Sequence, residues 1–172
     1  SSDLLKRGLN WQMYLRKMTL VMSLVAPMMG AAGGAVAQTI APTVTTTSSS
    51  VARTLMIQAE DFTAMNGVKV ERTTDEGGGS NIGALDAGDW LAYANAEINI
   101  PTATTYKVIY RVSSLYGGGS FYVHELGSGA EYDRVVVPRT GNFQKWVDVE
   151  STITLPAGRH TLGITALTKG FN

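Results

Sequence analysis

From residue 53 onward, apolar and polar residues alternate in short runs, and turn residues interrupt them about every ten positions, which is the pattern of half-buried β-strands. Strands are predicted near residues 54–60, 68–72, 89–98, 104–113, 119–126, 132–137, 145–155 and 159–167. The punctuation between them is Gly-rich: Tyr116-Gly117-Gly118-Gly119, Gly127-Ser128-Gly129, Arg139-Thr140-Gly141-Asn142 and Pro156-Ala157-Gly158. Past residue 52 no window sustains a helical stripe. The pattern therefore predicts an all-β domain, a two-sheet jelly roll or a related sandwich.

One stretch organises the rest. Gly77 to Trp90, GGGSNIGALDAGDW, carries three consecutive glycines and two more at Gly83 and Gly88, so it reads as a tightly folded loop. The strand that follows places Trp90, Ala92, Ala94, Ala96 and Ile98 on one face and Leu91, Tyr93, Asn95 and Glu97 on the other. Within these strand patterns Trp90 and Trp146 read as core residues. A compact loop feeding a half-buried strand is a common way for a β scaffold to present a ligand.

The first 52 residues have a different pattern. Met13 to Gln38 runs from a basic start through an apolar stretch, Met18 to about Met29, to small residues ending in Ala35-Val36-Ala37, the order of a secretory signal. Cleavage is expected before Gln38, with Met13 as the natural start. A transmembrane anchor fits less well, because the apolar stretch falls short of the ~20 residues a span requires and contains Pro27. Residues 38–52 are Thr/Ser-rich, uncharged and without periodicity, which reads as a flexible linker. The expected organisation is a secretory signal region at 1–37, a linker at 38–52 and a folded domain at 53–172, in a secreted, monomeric protein.

Composition and charge narrow the function. The whole chain balances 14 basic against 14 acidic residues, but from residue 38 onward ten basic residues face thirteen acidic ones, a net charge of −3. A weakly acidic domain lacks the electrostatic footprint of a nucleic-acid binder, so no nucleic-acid partner is expected. The absence of cysteine removes disulfides, thiolate metal sites, cysteine nucleophiles and a lipid-modified N-terminal cysteine. No membrane partner is expected once the signal is cleaved.

The motifs IQAEDF from Ile57, GVKVERTTDEGGGSNIGALDAGDWLAY, TYKVIYRVSS, GNFQKWVDVESTITLPAGRHTLGI and KGFN follow one another in an order that resembles a family 6 carbohydrate-binding module (CBM6) over residues 55–172. The resemblance implies a β-jelly-roll module, appended to a secreted glycoside hydrolase that attacks plant or algal polysaccharides. It also implies one further strand after GFN, so the sandwich is expected to lack its last strand here. A principal sugar cleft is implied in the loops at one end of the sandwich, where two rings flank a sugar and an asparagine hydrogen-bonds it. The first ring position follows the Asn-hydrophobic-Gly motif that begins at Asn81 and is occupied by Ala84. The second falls on Phe143 in GNFQKW, where tryptophan is more usual, and the asparagine falls on Asn172. Phe143, Asn172, Asn81 and Tyr116 are thus the expected carbohydrate contacts, Tyr116 as a possible replacement for the absent ring. A second cleft on the concave face is implied without its residues being placed. A structural calcium is also implied, with Gln58 and Glu60 matching its first-strand ligands.

The physical logic agrees: sugars offer apolar C–H faces and many hydroxyls, which an aromatic platform and a few amide or carboxylate groups recognise. The carboxylates give no second reading as a hydrolase. Glycoside hydrolysis needs two of them set about 5–10 Å apart across a sugar, and no partner can be placed opposite Asp75 or Glu76. Asp86 and Asp89, flanking Gly88, read as turn residues, and His124 and His160 lack catalytic neighbours at motif spacing. Binding of polysaccharide without catalysis is the expected function. A glycoside hydrolase whose catalytic domain lies beyond residue 172, and a structural or adhesive sandwich with a decayed cleft, are the alternatives.

Overall fold

A computed structural model of the chain describes residues 23–24 and 55–172. The expected signal and linker lie outside the described residues, apart from Ser23–Leu24. All regular elements described are strands: β1 (Ser23–Leu24), β2 (Ala64–Asn66), β3 (Lys69–Arg72), β4 (Ser80–Gly83), β5 (Trp90–Ile100), β6 (Thr104–Ser114), β7 (Gly119–Glu125), β8 (Glu131–Val137), β9 (Asn142–Leu155) and β10 (Gly158–Ala166). They form a five-stranded sheet in the order β2-β5-β10-β7-β8, a three-stranded sheet β1-β6-β9, and a separate hairpin β3-β4. Every pairing is antiparallel.

The two larger sheets enclose one core. β6 and β9 contribute Val108, Tyr110, Val112, Ile153 and Leu155, and the five-stranded sheet contributes Leu91, Tyr93, Phe121, Val123, Val135, Val137 and Leu162. Tyr110 and Phe121 meet between the sheets, edge to face, with centroids 5.4 Å apart. The buried Tyr110 hydroxyl donates to Asp133 Oδ2 at 2.7 Å, which satisfies the polar end of a core ring.

Three sequence expectations are corrected. Leu55–Glu60 is not a strand: Leu55, Ile57 and Ala59 pack on the core, but the segment joins no ladder among the described residues. The Gly77–Trp90 stretch is not all loop, because Ser80–Gly83 is β4 and pairs with Lys69–Arg72. The alternation along β5 does not hold throughout. Tyr93 pairs with Leu162 but Ile98 with His160, so three extra residues bulge out of β5 and reverse its parity. Leu91 and Tyr93 therefore point inward before the bulge, and Ile98 and Ile100 after it.

Candidate carbohydrate-binding site

The loops at one end of the sandwich converge on a cleft of about 230 Å³ lined by Glu71, Ala84, Leu85, Phe143, Gly170, Phe171 and Asn172. Glu71 comes from β3, Ala84 and Leu85 follow β4, Phe143 opens β9, and Gly170 to Asn172 follow β10. The structure thus brings together Ala84, Phe143 and Asn172, which are far apart in the chain.

Phe143 is held by its backbone, which leaves the ring for the cleft. Its carbonyl accepts from Ser113 Oγ at 2.6 Å and from Asn172 Nδ2 at 3.2 Å. Asn172 is itself tied to β6 by reciprocal backbone bonds with Ser113, both 2.9 Å. With its amide nitrogen engaged, Asn172 keeps Oδ1 beside the Glu71 carboxylate over Gly83. A Cβ on Gly83 would lie 2.6 Å from Glu71 Oε2 and 3.0 Å from Asn172 Oδ1, so a side chain there would push this pair of oxygens aside. The cleft therefore offers one half-buried ring and two clustered oxygen acceptors, a match for a sugar's C–H face and its hydroxyl donors.

Glu71 was missed in the sequence. Its strand partner lies in β4, and with β4 read as loop there was nothing to show that a side chain on β3 reaches the cleft. The four expected contacts divide. Phe143 and Asn172 line the cleft. Asn81 is 4% exposed, and both ends of its amide are engaged: Nδ2 donates to Ile82 O at 3.0 Å, and Oδ1 accepts from Gln144 Nε2 at 3.2 Å. It supports the wall from behind. Tyr116 is 76% exposed on its Gly-rich turn and is not among the lining residues.

Ala84 has a backbone φ of 58°, a left-handed conformation that is unfavourable for any residue bearing a Cβ. Tyrosine meets the same backbone penalty as alanine there while supplying a second platform. Ala84→Tyr is expected to tighten polysaccharide binding about five- to ten-fold, the scale of one aromatic contact. Titration calorimetry of the two proteins checks this, and equal affinities would show that position 84 does not face the sugar.

Trp90 also departs from expectation. It is 38% exposed and lies in a row across the solvent face of the five-stranded sheet, Asn66–Trp90–Thr165–Tyr122–Arg134 in register. Trp146 is half-buried, and its Nε1 is buried without a hydrogen-bond partner beside a small apolar cavity of about 30 Å³.

The expected metal ligands lie just before β2. Gln58 Oε1 is buried with no hydrogen-bond partner, and Glu60 Oε2 is buried as well. Amide and carboxylate oxygens suit a hard cation, so the pair fits calcium as part of its coordination shell. Among the described residues, no three His, Cys, Asp or Glu side chains converge on one metal position.

The profile of the carbohydrate binding module (family 6) matches residues 58–172. A module of lichenase 5A from Cellvibrio mixtus, solved in complex with cellotriose, superposes with a TM-score of 0.65 at 44% identity, covering 67% of this chain and 88% of that one. The C-terminal module of LamC, a marine laminarinase from Zobellia galactanivorans, gives 0.60 at 31% identity, covering 66% of this chain and 88% of that one. The alpha subunit of clotting factor G from Tachypleus tridentatus is 34% identical over 109 residues, 63% of this chain. An arabinoxylan arabinofuranohydrolase from Paenibacillus polymyxa is 30% identical over 109 residues, 62% of this chain. The matched stretch spans only 16% and 17% of the lengths of these two proteins. With its jelly-roll sheets and end cleft in place, the chain belongs to carbohydrate-binding module family 6, whose members bind polysaccharide without catalysing its breakdown.

Proposed function

We propose that the end cleft is the principal glycan site, with Phe143 stacking on the sugar and Glu71 and Asn172 accepting hydrogen bonds from its hydroxyls. The observation that carries this reading is the convergence of that ring and those two oxygens on one cleft. With Ala84 in place of a second ring the sugar is gripped by one aromatic platform, so affinity per site is modest. A module of this kind serves an attached glycoside hydrolase by raising its local concentration on an insoluble substrate. The similarity to parts of a lichenase and an arabinoxylan arabinofuranohydrolase supports that role, and the signal-like N-terminal pattern supports secretion. The glycan is a plant or algal polysaccharide such as a β-glucan, xylan or agarose. Affinity electrophoresis through gels of each identifies it: retardation in at least one is expected, and mobility unchanged in all of them contradicts the reading.

A second reading is favoured by Trp90. Its exposure in one row with Tyr122, across Thr165, gives the sheet face an aromatic strip of its own. If that face carries the binding, Trp90→Ala abolishes retardation and Phe143→Ala leaves it intact.

Gln58 and Glu60 are proposed to hold a structural calcium. The support is the buried, unpartnered Gln58 oxygen, which a cation would satisfy. Excess EDTA is then expected to lower the Tm by several degrees and added calcium to restore it, because a ligand of the folded state stabilises that state. A Tm that ignores both would remove calcium from the account.

A further inference from the structure

Gln144 follows Phe143 at the start of β9, so strand alternation directs its side chain away from the ring. Its carboxamide reaches the β3–β4 hairpin behind the Glu71–Ala84 wall of the cleft. Oε1 accepts from Thr74 N at 2.8 Å and from Thr73 Oγ1 at 3.1 Å, and Nε2 donates to Asn81 Oδ1 at 3.2 Å. Thr73 and Thr74 lie just past β3, and Asn81 belongs to β4. The Gln144 backbone is itself anchored, its N–H donating to Asn142 Oδ1 at 2.7 Å.

These bonds matter because of the topology. Among the described residues, β3 and β4 pair only with each other, so no ladder sets the hairpin against β9. Among the described residues, two side-chain attachments join its connecting loop and β4 to the β6–β9 sheet. One is the fork of Arg111 on Asp75, with Nε to Oδ2 at 2.9 Å and Nη2 to Oδ1 at 2.7 Å, which ties the loop between β3 and β4 to β6. The other is Gln144, at the cleft. The hairpin carries Glu71 and leads into Ala84, while Phe143 is the facing wall. Gln144 is therefore bonded in sequence to one wall and through hydrogen bonds to the other.

We infer that Gln144 is a positioning residue for glycan binding, whose carboxamide sets the gap between Phe143 and the Glu71–Ala84 wall without touching the sugar. The inference rests on the end cleft being the sugar site. It also gives the buried Asn81 a role, as the receiving end of the tie rather than as a sugar contact.

Two variants of the intact chain test it, run beside Phe143→Ala on the same agarose, xylan and β-glucan gels. Gln144→Met keeps the side-chain volume and removes the carboxamide's hydrogen bonds to Thr73, Thr74 and Asn81. Gln144→Glu keeps the acceptor for Thr73 and Thr74 but replaces the donation to Asn81 by a carboxylate oxygen facing Asn81 Oδ1. The expected result is a loss of affinity of about ten-fold for Gln144→Met, with partial recovery in Gln144→Glu, the scale of a few hydrogen bonds lost from a preorganised site. In the sugar-free protein, amide resonances of Gly83 and Ala84 are expected to shift in Gln144→Met while those of Val123 and Leu162 stay in place. Wild-type affinity in Gln144→Met together with lost binding in Phe143→Ala would overturn the inference and leave the cleft standing. Losses that are equal in both Gln144 variants and track a falling Tm would also overturn it, as a stability effect. Unchanged binding in Phe143→Ala would overturn the cleft reading itself, and this inference with it.

Discussion

Phe143→Ala is expected to weaken polysaccharide binding about thirty-fold, on the order of 2 kcal/mol, the range of an aromatic hot spot. The effect is large because the cleft has no second platform. Ala84 cannot stack, Tyr116 lies outside the lining, and the other ring in the cleft, Phe171, is buried at 4% exposure. Stability is expected to change little. The Phe143 ring is half-buried, and the hydrogen bonds from Ser113 and Asn172 go to its carbonyl, which alanine retains. Titration calorimetry on the retarding polysaccharide and a thermal melt separate the two effects. A large fall in Tm with binding restored at low temperature would mean that Phe143 packs rather than binds.

Phe121→Ala is expected to destabilise the domain by about 3–5 kcal/mol, the usual consequence of removing a fully buried ring, which corresponds to a Tm about 15 °C lower or more. Phe121 has no exposed surface, meets Tyr110 edge to face, and stacks on Phe171 with centroids 5.7 Å apart. The stack links the core to the site, since Phe171 precedes Asn172. Phe171 is also pressed by β7: a Cβ on Gly119 would fall 2.5 Å from its ring. The variant is therefore expected to loosen Asn172 and weaken sugar binding even at temperatures where it is folded. Denaturant unfolding measures the first effect and calorimetry at low temperature the second. A stability loss below about 1 kcal/mol would show that the core collapses around the missing ring without cavity formation.

Much of the fold was legible because strand alternation survives wherever one face is buried. Val108, Tyr110 and Val112 alternate with the less buried Lys107, Ile109 and Arg111 along β6, and all three are buried on the inner face. Legibility failed where local chemistry and pairing disagree. SNIG looks like loop because its glycine and short polar residues have weak strand propensity, yet its register with Lys69–Arg72 makes it β4. Trp90 looks like core by residue type, but its parity with Ala92 places it on the solvent face. The bulge in β5 then reverses parity in a run of small residues, Ala94 to Ala96, that offers no contrast to read.

The site was legible in part and through resemblance. Motif order led to Ala84, Phe143 and Asn172, and the structure places all three in one cleft. What alternation and motif order could not convey was orientation. Asn81 sits beside the first-ring motif but turns inward to Gln144, while Glu71, unremarkable in VKVER, turns out over Gly83. Both depend on the β3–β4 hairpin, whose pairing is a tertiary fact.

The central claim is that the end cleft, and not the sheet face, receives the glycan. Amide and methyl chemical shifts followed by NMR during titration with a soluble oligosaccharide of the retarding polysaccharide test it most directly. The account predicts saturable shifts at Glu71, Gly83, Ala84, Phe143 and Asn172, with Trp90, Tyr122 and Thr165 unmoved. Shifts confined to Trp90, Tyr122 and Thr165 would contradict it.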